Sequence, residues 1–237
     1  MPTPRALARE QTMREIVRIG REHLGEVGPA ALSLRAVARE LGVVSSAVYR
    51  YVADRDALLT LLIVDAYDEL GGAVETAIAG VRTRGEARFR ARILAGARAT
   101  REWAVAEPSR FALLYGTPVP GYRAPRDTVD PGIRVALALV GVLDEAYAAG
   151  VLASPQERLA RPVRADLERQ VRELGLALPT AALARAFALW SGLFGLVSFD
   201  VFDQYGAETL TDRGAFFEHQ VGLLADLVGL PRAARAS

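Results

Sequence analysis

The sequence has no cysteine, no lysine and only two histidines among its 237 residues. Without cysteine there is no disulfide framework and no thiolate metal site, which fits a reducing compartment. The two histidines, His23 and His219, lie near opposite ends of the chain. Neither an imidazole-based metal site nor a Ser/His/Asp arrangement is therefore evident. Carboxylate groups such as Asp65 with Asp68 and Glu69 fall on a helix-patterned face, where solvated side chains are the ordinary case. No glycine-rich phosphate loop follows a strand pattern. The expectation is a protein that is not an enzyme and carries no cofactor. Long apolar runs are missing too. Phe187 to Phe202 is interrupted by Ser191, Ser198 and Asp200 and is shorter than the roughly 20 residues a membrane span needs. The opening MPTPRALARE has no apolar stretch of the signal-peptide kind. These absences lead us to expect a cytoplasmic protein with no membrane partner. Every strongly basic side chain is a guanidinium, for which genomic base composition is a sufficient explanation.

What is present is a chain that is 51% apolar, enough to build a core and to exclude global disorder. Its length suits one large domain or a small one joined to a larger one. The net charge of +1 is uninformative, but its distribution is not. Residues 1–55 carry nine arginines against six acids, and residues 56–237 carry twenty against twenty-two. The basic excess is therefore N-terminal.

The same N-terminal region holds the most informative stretch, LSLRAVARELGVVSSAVYRYVADRDALLTLL, from Leu32 to Leu62. Ser33 stands at an N-cap position, where its hydroxyl can accept from an N–H of the first turn. Leu34, Val37, Ala38 and Leu41 follow at helical spacing, and Gly42 suits the left-handed residue that closes the helix. A second short helix over Ser45–Val52 turns Val48 and Val52 inward. Its other face is Ser45, Ser46, Ala47, Tyr49 and Arg50: small, hydroxylated, aromatic and basic. That composition suits a helix that enters a major groove and rests on phosphates. The pattern is a helix-turn-helix.

The remainder reads as helix throughout. Met1–Ala6, with Pro2, Pro4 and Arg5, is expected to be a mobile arm, and Leu7–Val27 a first helix packed across the two-helix reader. Asp54 reads as the cap of a long helix from Arg55 to about Val81, shared by head and body. Further helices are expected over Glu86–Ala106, Pro108–Tyr115, Ile133–Ala149, from after Pro155 to about Leu174, Pro179–Gln204 and Thr211–Val228. Four prolines keep GTPVPGYRAPRDTVDPG out of helix, which predicts a surface loop. The fold expected is all-α. A three-helix DNA-binding head (1–53) precedes a helical-bundle body for ligand binding and dimerisation (54–230), and a disordered tail (231–237) follows.

Across roughly residues 10–62 the chain resembles the tetracycline-repressor (TetR) family of bacterial regulators. The carrying residues are Ser33, Arg35, Ala38, Leu41, Gly42, Val43, Val48, Tyr49, Tyr51, Val52, Arg55, Ala57 and the pair Leu58–Leu59. The segments PSRFALLYGTPVPGYRAP and LWSGLFGLVSFDVFDQYG are similar to actinobacterial bodies of that family. One body type is marked by a Trp and then His-Gly. Here Trp190 and Gly195 are present but Phe194 stands in the histidine's place, so that histidine's role does not transfer.

The resemblance implies a homodimer that binds palindromic double-stranded operator DNA as a repressor. A small apolar or amphipathic effector would release it. Position by position, Ser33 would hold a phosphate or simply cap its helix, and Arg35 would reach guanine, a phosphate or an internal carboxylate. Ser45 and Ser46 would touch bases without specifying them, and Ala47 would meet a thymine methyl. Tyr49 and Tyr51 would clamp phosphates, unless one packs inside the head. Arg50 would reach base or backbone, and Arg55 a phosphate. Trp103, Phe111, Tyr115, Tyr147, Phe187, Trp190 and Phe194 could line an effector pocket; the alternative for each is a core or interface aromatic. Gly192, Gly195, Phe199, Phe202, Phe217, Val221, Leu224 and Val228 would form the dimer interface. The alternative is a helical small-molecule-binding or scaffold protein that no longer reads DNA.

Overall fold

A computed structural model describes residues 3–153, 155–206 and 208–232, and among these every regular element is helical. Ten α-helices run in order: α1 (Pro4–Val27), α2 (Leu34–Glu40), α3 (Ser45–Val48), α4 (Arg55–Gly80), α5 (Ala87–Ala106), α6 (Pro108–Tyr115), α7 (Val129–Ala148), α8 (Arg161–Leu174), α9 (Thr180–Val201) and α10 (Arg213–Leu227). Short 3-10 turns occupy Pro29–Ala31 and Arg126–Thr128.

The first helix begins earlier than its prolines suggest. The Thr3 hydroxyl accepts from the Ala6 N–H at 3.2 Å, and Pro4 takes the first helical position. Proline is favourable there because its missing N–H would have had no intrahelical partner. Of the expected arm, residues 4–6 begin α1 and Thr3 caps it, while residues 1–2 lie outside the described residues. Pro131 and Pro162 follow the same rule, lying in the first turns of α7 and α8. Of the expected disordered tail, residues 233–237 lie outside the described residues.

The chain forms two compact units: residues 1–69 with 107–132, and residues 70–106 with 133–237. The division falls inside α4 rather than at residue 53, and α6 joins the N-terminal unit. That unit is built on Ile16, Ile19, Leu24, Leu34, Val37, Ala38, Val48, Val52, Leu58, Leu59 and Leu62, all buried, with Leu113, Val119 and Tyr122 packed against them. Arg110 of α6 is buried with its guanidinium against Asp65 and Glu69 of α4, at 3.1 and 2.9 Å. Arg21 of α1 grips the same two carboxylates, at 2.6 and 3.1 Å. The Tyr122 and Thr60 hydroxyls share a hydrogen bond at 2.9 Å, fastening the 116–128 segment to α4.

In the second unit α9 contacts α5, α8 and α10. By length and mean hydropathy, 1.5, α9 alone among the described helices could cross a membrane. Leu183, Leu189, Leu193 and Val197 form a buried face along it, while Phe187 and Phe199 are exposed. Arg90 of α5 bonds Asp226 at 2.7 Å and the Gly222 carbonyl at 2.8 Å on α10. Arg101 of α5 bonds Asp200 of α9 at 2.6 Å.

Candidate nucleic-acid interface

The reader is held by two local devices. At the end of α2, the Gly42 N–H donates to the Arg39 carbonyl and the Val43 N–H to the Ala38 carbonyl, at 3.2 and 3.0 Å. This pair closes the helix only if Gly42 is left-handed, and its φ is +68°. At the start of α4, the Asp54 carboxylate accepts from the Ala57 N–H at 2.8 Å. Between them α3 is a single helical turn, continued by turn-type bonds such as Tyr51 N–H to the Val48 carbonyl at 2.8 Å. The reader is therefore shorter as true α-helix than the Ser45–Val52 expected.

Ser33 occupies the N-cap of α2, but its side chain makes no capping bond. Arg35, Ser46, Tyr49 and Arg50 are exposed, while Ser45 and Ala47 are half-buried. Tyr51, expected with Tyr49 to clamp phosphates unless one packed inside the head, is partly buried against the core. Its ring lies under the Arg9 guanidinium, 5.2 Å from carbon to centroid. Arg55, expected to meet a phosphate, has internal partners. It donates to the Pro29 carbonyl at 2.8 Å and lies 3.5 Å from Asp56, which ties the 3-10 turn to α4. Its Nε is buried without a partner.

Charge pairing sorts the arginines of the head. Among the described residues, Arg18, Arg21 and Arg55 have carboxylate partners. Arg5, Arg9, Arg14, Arg35, Arg39 and Arg50 have none. Where such an arginine faces the reader it is available to a phosphate; Arg14 does not, lining instead a separate cavity with Glu10 and Asp65. Sequence reasoning missed Arg9, because only the fold lays it on Tyr51. Alongside lies a cavity of about 690 Å³ bounded by α1 and the reader.

The other expected sites are rearranged. Phe111 and Tyr115 belong to the first unit, where they pack together at 5.2 Å with Tyr67 at the edge of Tyr115. Burial pushes the Tyr115 hydroxyl far above its usual range. Trp103, Tyr147, Phe187, Trp190 and Phe194 belong to the second unit. Phe187, Trp190 and Phe194 form an edge-to-face ladder along α9, at 6.1 and 6.2 Å, with Phe187 outermost and exposed. Of the expected interface residues, Phe217, Val221 and Val228 are only 5, 1 and 3% exposed, so they fill the protomer's own core. Gly192 also serves that core, since a Cβ there would meet Leu224 Cδ2 at 2.9 Å. Gly195, Phe199 and Phe202 do face outward.

A capped two-helix reader on a third helix, with unpaired arginines around it, defines a DNA-binding protein of the helix-turn-helix class. Residues 16–62 match the profile of the bacterial regulatory proteins of the tetR family, and residues 93–224 that of the tetracyclin repressor-like C-terminal domain. The chain belongs to the TetR family of transcriptional regulators. It is 46% identical to the HTH-type transcriptional regulator Rv1816 of Mycobacterium tuberculosis over 92% of each chain. The crystal structure of the candidate regulatory protein SCO4313 superposes with a TM-score of 0.75 at 32% identity, covering 94% of this chain and 100% of that one. A protein of unknown function from Rhodococcus sp. RHA1 gives 0.66 at 26% identity, covering 92% and 95%.

Proposed function

We propose that this regulator is a repressor that binds a near-palindromic operator as a homodimer and is released by an apolar or amphipathic effector. The observation that carries the dimer is an exposed apolar stripe on the outside of α9 and α10. On α9 it comprises Phe187, Ser191, Gly195 and Phe199, and on α10 Leu223 and Leu227. Large side chains flank a small-residue centre, where no atom lies within 4 Å of a Cβ built on Gly195. A second copy of the same two helices would cover this face and let the helices approach closely. Dimerisation would set the spacing of the two readers, and a fixed spacing of half-sites makes an operator palindromic.

Within each head, Ser33, Arg35, Ser45, Ser46, Ala47, Tyr49 and Arg50 carry the DNA contacts. Ser33 and Tyr49 bind phosphates, Arg35 reaches the groove, and Arg50 stands at its edge, within reach of base or backbone. The effector site belongs to the second unit, near Trp103, Tyr147, Trp190 and Phe194. Aromatic bodies with a few polar tips suit an amphipathic guest there.

The test is Phe199→Asp with Leu223→Asp, measured by sedimentation and by mobility shift on a duplex from the region upstream of the gene. Expected is a folded monomer that has lost operator affinity. A variant that remains dimeric would defeat the assignment of this face. A wild-type protein that protects no specific sequence across a salt series would defeat the repressor reading.

A further inference from the structure

We infer that the N-terminal turns of α1 are a second phosphate-binding wall of the head, formed by Arg5 and Arg9 opposite Arg50. The inference rests on the reading of the head as a DNA binder and extends it beyond the helix-turn-helix itself. Its basis is the cavity of about 690 Å³ that α1 shares with the reader, walled by Arg5, Arg9, Thr12, Ala47, Arg50 and Tyr51, together with Thr3, Ala6 and Ala8. No carboxylate lines it. All three arginines are exposed, and among the described residues none is paired with an acid. The neighbouring acids are diverted elsewhere. Glu15 is held by Arg18 at 3.0 Å. Glu10 lines a different cavity, with Arg14, Arg18, Arg21 and Asp65.

Helical spacing explains the separation. Arg5, Arg9 and Thr12 differ by four and three residues and share one face of α1, whereas Arg14, nine residues beyond Arg5, falls on the opposite face. Three guanidinium groups around one concavity repel each other, and a strand of phosphates would remove that repulsion. Two of them stand on α1 and one beside the groove-facing residues of the reader, so a single backbone strand passing the reader meets both walls. Arg9 is the best prepared. Stacked on Tyr51, its guanidinium is restrained before DNA arrives, so less side-chain freedom is lost on forming a phosphate bond. A guanidinium held over a ring uses none of its N–H groups in a hydrogen bond there, so they can still donate to a phosphate.

The experiment measures affinity against salt concentration for Arg5→Ala, Arg9→Gln and Arg14→Ala. Two duplexes are used: one from the region upstream of the gene and a scrambled one of the same composition. A phosphate contact contributes about 0.9 to the slope of log K against log salt. Arg5→Ala and Arg9→Gln are each expected to lower that slope by roughly one per head. Both duplexes should weaken alike, so the ratio between them is preserved. Arg14→Ala should leave slope and affinity unchanged. An equal fall for Arg14→Ala would mean a general charge effect and overturn the assignment. Loss of affinity with an unchanged slope in Arg9→Gln would overturn it too, because Arg9 would then act only by packing Tyr51. Absence of DNA binding by the wild-type protein is a separate outcome, which removes the underlying reading along with the inference.

Discussion

Replacing Arg110 with methionine removes a buried charge while keeping most of the side chain's length. The Arg110 side chain is 3% exposed and forks onto both Glu69 oxygens at 2.9 Å, with Asp65 at 3.1 Å and Glu107 at 3.6 Å. Deleting one partner of a buried ion pair costs about 3–5 kcal/mol when the other is stranded without a counter-charge. Here the carboxylates are not stranded. Arg21 still holds Asp65 at 2.6 Å and Glu69 at 3.1 Å, and both acids keep access to water, at 25 and 40% exposure. The cost should therefore fall below that range, at about 2 kcal/mol.

The double variant Arg21→Ala with Arg110→Met takes both arginines away from Asp65 and Glu69. Its cost should exceed the sum of the single variants by about 1 kcal/mol or more, as residues sharing partners are not additive. Urea unfolding would be followed by circular dichroism and by tryptophan emission together. Trp103 and Trp190 both belong to the second unit, so emission alone would not report on the unit that contains Arg110. Arg110→Met at under about 0.5 kcal/mol, or strict additivity with Arg21→Ala, would refute the view that these charges act as one cluster.

Two further outcomes follow from local geometry. Gly42→Ala should cost about 1–2 kcal/mol from its left-handed backbone alone, since no atom lies within 4 Å of the added Cβ. Gly42→Asn should cost less, and equal thermal shifts for the two would contradict a conformational cause. Asp226 is held at a pKa of about 2, below the ordinary 3.8, by its hydrogen bonds from Arg232 and then Arg90, against the opposing effect of burial. A lowered carboxylate value means that its stabilising contribution is complete above about pH 4 and fades as pH falls toward 2. Carboxyl titration by NMR should show this value rising in Arg232→Ala. A wild-type titration near 3.8 would sink the argument.

The parts of the fold that were legible in the sequence are those fixed by neighbours. Gly42 and Asp54 mark helix ends through bonds spanning a few residues, and Ser33 takes the N-cap position without a side-chain bond, so their spacing placed α2 and the start of α4. Pro4 was misleading because a proline that ends one helix can equally begin another. The interface was only half legible for a different reason. On α9 and α10 apolar residues surround the helix, so periodicity cannot tell Phe217, which faces the core, from Leu223, which faces out. The bond of Arg55 to the Pro29 carbonyl was not legible because it joins residues 26 apart. Separations of 44 and 41 residues likewise hid the pairing of Arg21 with Asp65 and of Arg110 with Glu69.

The unpaired guanidinium groups around the reader also determine how this head can be regulated. A guanidinium stays protonated at any pH a cell reaches, so the arginine contribution to DNA affinity is flat across the neutral range. With no lysine in the chain, no side-chain amine is present for acetylation to neutralise. Amine-directed cross-linkers and labels have no ε-amine to attack, so the DNA face should remain unmodified under reagents that disable lysine-rich repressors. Enzymatic lysine modification cannot tune this surface.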